Sequence, residues 1–295
     1  MRLSKAPLAL IMVIATATHL GAYSQLFAQD KIQTVHPFVV SGVIKNSNNA
    51  KILEEFSQYL SQHTDYPLKV VFASNYTELS RKMRNDPFAI GWTCGAPFIQ
   101  DHKTDKQQLV AVPTFRHKPT YYSVILARSN SSEKTLADFK GGVLAYSDPR
   151  SNTGFLSPKY SLSKLNIDIN THFRLLINAE NHEGSIKSII NGLADVAAVN
   201  EYIWAVYSKA FPEANKQLRE IERMGPYPLT PIVASKNVSR TTILKLQKTL
   251  MNMKNTTQGK KILRAFNFDD FVRKKPEFYD PISVMINEVN INTGI

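Results

Sequence analysis

Along most of this 295-residue chain, short β-favouring runs alternate with stretches whose apolar residues recur at helical spacing. Such alternation needs crossover connections and points to an α/β architecture on a largely parallel sheet. Residues 37–44 (PFVVSGVI), 68–73 (LKVVFA) and 88–93 (FAIGWT) read as strands. Between them, residues 50–62 place Ile52, Leu53, Phe56 and Leu60 on one helical face, and residues 77–84 read as a second helix. The second half repeats the pattern, with strands at 122–127, 143–146, 173–177, 195–199 and 229–234 and a helix at 185–192. A long helix over 239–254 starts at the plausible cap Ser239 and presents Ile243, Leu246 and Leu250 on one side. There is no repeat, no low-complexity tract and no linker rich in Pro, Gly or Ser, so the expectation is two lobes knitted by hinge strands. With 43% apolar and 20% charged residues, the chain is composed like a globular protein long enough for two such lobes.

The N-terminus has its own logic. Arg2 and Lys5 precede an apolar run at 6–15, followed by small residues that include Ala15, Ala17, Ala22 and Ala28. This is the layout of a secretory signal peptide over residues 1–28. The run is short for a bilayer span, and an uncleaved anchor is the alternative. No Cys sits near the cleavage region, which excludes a lipoprotein anchor. The net charge of +12 invites a nucleic-acid reading, but the charges are scattered and the densest cluster is Arg273-Lys274-Lys275. No zinc spacing accompanies it, so a solvated surface without a nucleic-acid partner is expected. Cys94 is the single cysteine, so no intramolecular disulfide forms, and a buried thiol is expected. With no HExxH or CxxC there is no expected metal or cofactor, and with no GxSxG elbow no enzyme nucleophile is expected.

One segment carries chemistry. Residues 147–158 read SDPRSNTGFLSP, fed by a strand and leading into a helical stretch. Ser151, Asn152 and Thr153 then sit at a helix mouth, where unpaired N–H groups and a partial positive charge favour an anion. Gly154 would let a ligand oxygen approach the backbone. Ordinary helix capping uses the same residue types.

The run from Tyr121 to Tyr160 resembles the phosphonate-binding members of the periplasmic substrate-binding family. It contains a YxSxI-type strand, an ADFKG element at 137–141, and DPRSNTGFLSP in place of a DPxSTSGxLxP anion loop. Residues 181–200 (NHEGSIKSIINGLADVAAVN) are similar to the family's next element. The resemblance extends over about residues 35–250 and implies a two-lobed type-II periplasmic-binding-protein fold with the ligand cleft between the lobes. The implied division is residues 29–119 for the first part of lobe 1, 120–225 for lobe 2, and 226–295 for the return to lobe 1 and the C-terminal helices. The family's Ser-Thr-Ser donors fall on Ser151, Asn152 and Thr153, and its histidine on His182, whose charge would rise below pH ~6.5. Aminoalkylphosphonate binders hold an ammonium with carboxylates. One of these is replaced here by Thr230, and the other falls near Asn200, Glu201 or Tyr202. A family tyrosine falls on Cys94, with Trp92 nearby. Trp92, Tyr121 and Tyr122 are the aromatics nearest the expected cleft.

The resemblance thus implies a periplasmic solute-binding protein. It would capture a small phosphorus oxyanion (phosphate, phosphite or phosphonate) for an ABC transporter permease in the inner membrane, and the family expectation is a monomer. A sensory protein that uses the same clamp to signal to a membrane receptor is the alternative.

Overall fold

The computed structural model describes residues 34–41 and 50–293, with side chains through residue 290. The expected leader at 1–28 and the end of the first strand at 42–44 lie outside the described residues. The strands are β1 (His36–Ser41), β2 (Leu68–Ala73), β3 (Ile90–Trp92), β4 (Gln108–Thr114), β5 (Thr120–Arg128), β6 (Val143–Tyr146), β7 (Leu175–Asn178), β8 (Val196–Asn200), β9 (Leu218–Pro228), β10 (Ile232–Ala234) and β11 (Asp270–Val272). They form two sheets, ordered β11-β4-β10-β3-β1-β2 and β7-β6-β8-β5-β9.

The first sheet grows from its most apolar strand. Phe38, Val39 and Val40 of β1 are all fully buried, so both faces of the strand are covered. The helices Ala50–Thr64 and Tyr76–Asn85 make the crossovers that set β2 and β3 parallel to β1. The first helix turns Leu53, Phe56, Tyr59 and Leu60 inward. The second is capped by Asn75, whose side chain accepts from Glu78 N at 2.8 Å. Phe56 is the centre of this core. Its ring lies 5.7 Å from Phe38, 5.9 Å from Trp92, 5.7 Å from Phe266 and 5.9 Å from Phe271. The second sheet has its own apolar cluster, including Val124, Leu126, Val143, Ile186, Ile189 and Val199.

The sheets are mixed, where the alternation of elements suggests largely parallel ones. Strand β10 runs antiparallel to both β3 and β4, and β5 runs antiparallel to both β8 and β9. The chain leaves the first sheet after β4 and re-enters it at β10 in extended form. A strand returning from the other sheet must oppose the one that departed. At the outward crossing, Phe115 and Lys118 bond each other's backbones around Arg116 and His117, which have φ of 52° and 62°. Left-handed backbone is costly for such residues. Contacts hold it: Asp269 accepts from His117 N at 2.7 Å, and Arg116 pairs with Glu201 at 3.0 Å. At the return crossing Leu229 N donates to Pro119 O, and Tyr279 donates to Leu229 O.

Among the described residues no helix is long and apolar enough to cross a membrane. The aromatic centre gives the first test. Phe56→Ala leaves a cavity among four aromatic neighbours and should lower the unfolding free energy by about 3–5 kcal/mol in a urea titration.

Candidate functional site

Beyond the carboxyl ends of β3 and β6, the two halves of the chain touch. This is where open α/β sheets commonly bind ligands. The segment after β6 brings Ser147 and Asp148 to the junction. Ser151 N then donates to Asp148 O at 3.0 Å, and Ser151 Oγ accepts from Gly154 N at 3.0 Å. A single π-helical turn, Asn152–Leu156, runs on into the helix Ser157–Ser163. Such turns are frequent at functional sites. The Asn152 N–H points across the junction to Cys94 Sγ, 3.4 Å away, and the Tyr121 hydroxyl lies 3.8 Å from the same sulfur.

This junction concentrates unmet hydrogen-bonding capacity. Among the described residues, Thr93 Oγ1, Thr153 Oγ1 and both amide atoms of Asn152 are buried without a partner. Buried polar groups nearly always find partners, and an orphan costs about 1–3 kcal/mol. The side chains of Asn152 and Thr153 lie beside the Tyr121 hydroxyl and favour its ionised form. Yet none of their polar atoms reaches hydrogen-bond geometry.

The donors at the site are also kept uncharged. Burial pushes the Cys94 thiol up and the Tyr76 and Tyr121 phenols well up, so all three retain their protons. His182 is fully enclosed, and burial drives it down to about 3. Its Nδ1 accepts from Asn200 N at 3.2 Å, which places the proton on Nε2, 3.5 Å from Ser147 Oγ. His182 is therefore a neutral donor across the physiological range, not the cation expected below pH ~6.5. The cluster offers O–H, N–H and S–H protons converging from both lobes without a formal charge. That chemistry suits an oxyanion, which accepts several hydrogen bonds at once.

The glycine in the loop makes room for its neighbours. A Cβ on Gly154 would overlap the Ser147 hydroxyl and come within 3.2 Å of His182 Cε1. The bare backbone admits these two side chains.

The family model for the periplasmic substrate-binding protein of phosphonate ABC transporters matches residues 39–279. The chain belongs to this family. A phosphonates-binding periplasmic protein of Escherichia coli (strain K12) is 25% identical over 238 residues, covering 78% of this chain and 70% of that one. A binding protein component of an ABC phosphonate transporter from Pseudomonas aeruginosa superposes with a TM-score of 0.81 at 25% identity, covering 88% of each chain. PhnD1 of Prochlorococcus marinus (MIT 9301), solved in complex with methylphosphonate, gives 0.78 at 20% identity over 87% of this chain and 98% of that one. The fold is therefore the two-lobed type-II periplasmic-binding-protein fold. Members of the family are transporter components that bind a small ligand in the periplasm and work with an ABC permease; they are not enzymes.

The residues singled out from the sequence divide into two groups. Ser151, Asn152, Thr153, Gly154, His182, Tyr121 and Cys94 come together at the junction. Trp92, Asn200 and Glu201 are engaged elsewhere. The Trp92 ring packs among Phe56, Phe266 and Phe268, and its N–H donates to Thr230 Oγ1 at 3.2 Å. Asn200 caps the helix Glu201–Ala210 by accepting from Tyr202 N, and acts on the site through its own N–H to His182. The Glu201 carboxylate accepts from Arg116 at 3.0 Å, Arg223 at 2.8 Å and Tyr122 N at 3.1 Å. Tyr122 itself lies under Arg223. Four further residues escaped the sequence reading. Thr93 and Ser147 follow strands and carry no motif, Tyr76 looks like ordinary helix-core material, and Arg150 occupies a variable position of the loop pattern.

The neutrality of His182 has a signed consequence. The unfolded chain binds a proton on this residue below pH ~6.5 that the folded chain refuses until about pH 3. Its contribution to stability is present above pH ~6.5 and is lost on acidification, by about 1.4 kcal/mol per pH unit. Between about pH 6.5 and 5.5, where the unfolded imidazole goes from half to nearly fully protonated, ligand-free protein should lose about 1 kcal/mol more unfolding free energy than a His182→Gln variant in parallel urea titrations.

Proposed function

We propose that this protein captures a small phosphorus oxyanion (phosphate, phosphite or a simple phosphonate) between its lobes in the periplasm and presents it to an ABC permease for uptake. The observation that carries the reading is the set of buried, unpartnered polar atoms on Thr93, Asn152 and Thr153, set beside the neutral donors Tyr121, Cys94 and His182. An oxyanion would supply acceptors for Thr93 Oγ1, Thr153 Oγ1 and Asn152 Nδ2, and the P–OH of a singly protonated phosphonate or phosphate would supply a donor for Asn152 Oδ1; each hydrogen bond to a charged ligand is worth about 1.5–3 kcal/mol. The relatives support the ligand class: one is a phosphonates-binding protein, and another was solved with methylphosphonate.

The reading disfavours an aminoalkyl tail. Thr230, at the position of an expected carboxylate, accepts from Trp92, and Glu201 is held by two arginines. Neither leaves a free negative charge to meet an ammonium group.

The rest of the reading follows the family. Residues 1–28 serve as an export signal. We read residues 29–119 and 226–295 as lobe 1 and residues 120–225 as lobe 2; the strands divide between the two sheets in the same order, except that β9 of the second sheet runs on to Pro228. The protein acts as a monomer without a nucleic-acid partner.

Thermal unfolding against phosphate, phosphite, methylphosphonate, aminoethylphosphonate and sulfate tests this. A cognate ligand at about a hundred times its Kd adds about 2.7 kcal/mol, which a melting shift registers. We expect a shift with one of the first three that disappears in an Asn152→Ala/Thr153→Ala variant. A shift with aminoethylphosphonate alone would contradict the reading of Thr230 and Glu201. A shift with none would contradict the ligand class.

A further inference from the structure

One side chain of the anion loop points away from the candidate site and into the opposite lobe. Arg150 lies between Asp148 and Ser151, directly beside the donors. Its guanidinium donates to Gln100 Oε1 from Nε at 3.1 Å and from Nη2 at 2.9 Å. Nη2 also reaches Asp101 Oδ1 at 2.8 Å, and Nη1 reaches Ser80 Oγ at 2.6 Å and Tyr76 O at 3.3 Å. All four partners lie on the helices Tyr76–Asn85 and Gly95–Asp105, which belong to the lobe of the first sheet. Asp101 is a made socket. Its side chain is 3% exposed, and its other oxygen accepts from Ser80 Oγ at 2.5 Å and Gln107 Nε2 at 3.3 Å. The same loop makes a second crossing one step earlier, where Asp148 Oδ2 accepts from Tyr76 N at 3.1 Å while Oδ1 accepts from Arg150 N at 2.6 Å.

We propose that Arg150 is a positioning residue for ligand capture. By plugging into the Asp101–Ser80–Gln100 socket it locks the Ser151–Gly154 loop of one lobe onto the other, and it releases the ligand only when this contact breaks. The proposal rests on the reading of the junction as the ligand site. The physical basis is the asymmetry of a buried charge. With the lobes closed, Asp101 has its counter-ion and its hydrogen bonds. When the lobes part, water must replace the guanidinium in a recess shaped for it. The fork geometry matters as well as the charge, because one guanidinium reaches four partners and a lysine ammonium has only three donors. The contact touches no ligand atom, so it should act on how long the closed state lasts and leave the donors intact. Truncating one partner of a buried charge pair characteristically raises the dissociation rate, while rim charges act on association.

Stopped-flow and equilibrium binding of methylphosphonate and phosphate to the full mature chain test the proposal in wild type, Arg150→Gln, Arg150→Lys, Asp101→Asn and the Arg150→Gln/Asp101→Asn double variant. Each single neutral variant should raise Kd about tenfold or more through faster dissociation, with association within about twofold of wild type. Arg150→Lys should recover part of the loss. The double variant should be no weaker than the worse single variant, since both remove one interaction. Thermal melts of the ligand-free variants establish that each is folded, and Asp101→Asn, which preserves shape, stands in if Arg150→Gln does not fold. Wild-type dissociation rates in the folded single variants would overturn the latch alone. So would losses that multiply in the double variant. A wild type that binds neither probe would take down the ligand reading and the latch with it.

Discussion

A buried polar atom without a partner is a debt of about 1–3 kcal/mol, and the junction between the lobes holds several together, on Thr93, Asn152 and Thr153. The surrounding structure keeps them there. Phe56 and its aromatic neighbours make the first lobe rigid behind β3, which leads directly into Thr93 and Cys94. Ser151 caps the turn that presents Asn152 and Thr153, and Asp148 ties that turn to Tyr76 N across the junction. Rigid supports on both sides prevent these atoms from relaxing toward each other. They are thus organised in advance for a ligand that brings acceptors for Thr93, Thr153 and the Asn152 amide N–H and a donor for the Asn152 carbonyl, and preorganisation lowers the cost of binding.

Neutrality is the second theme. Tyr76, Tyr121, Cys94 and His182 all sit where desolvation opposes charge, so each keeps the uncharged form and remains a donor. Of the formal charges near the loop, Arg150 pairs with Asp101 and Glu201 with Arg116 and Arg223, while the Asp148 carboxyl is held by Tyr76 N and Arg150 N. An oxyanion entering such a site meets dipoles and hydroxyl protons but no fixed cation. Its affinity then depends on the number and direction of hydrogen bonds, which depend in turn on closure. That gives inter-lobe contacts such as Arg150 their leverage over a site they do not touch.

Much of this was legible in the residues. The buried strand run at β1, the helix periodicity around Phe56 and the loop at 147–158 have local signatures, and each lies close to where the structure puts it. Other elements do not announce themselves. Strand β4 carries Pro113, and β9 reads as charged (LREIERMGPYP) because it is the sheet's edge, half open to water. The antiparallel return of β10 is set by the hinge crossing, which is non-local. Trp92 and Glu201 show the same limit at the site. Proximity in sequence to Cys94 and Asn200 is no guide to where a side chain points, and each found a distant partner, Thr230 and Arg116. Thr93 and Arg150 became visible only when the two lobes were seen against each other.

The most direct measurement of the central claim is a crystal structure of the mature protein with methylphosphonate. The account predicts that phosphonate oxygens lie within hydrogen-bond distance of Asn152 and Thr153 and of at least one donor from Thr93, Tyr121 or His182, with the orphaned atoms satisfied. A phosphonate bound elsewhere, or one seated at the junction while Asn152 and Thr153 remain unpartnered, would contradict it.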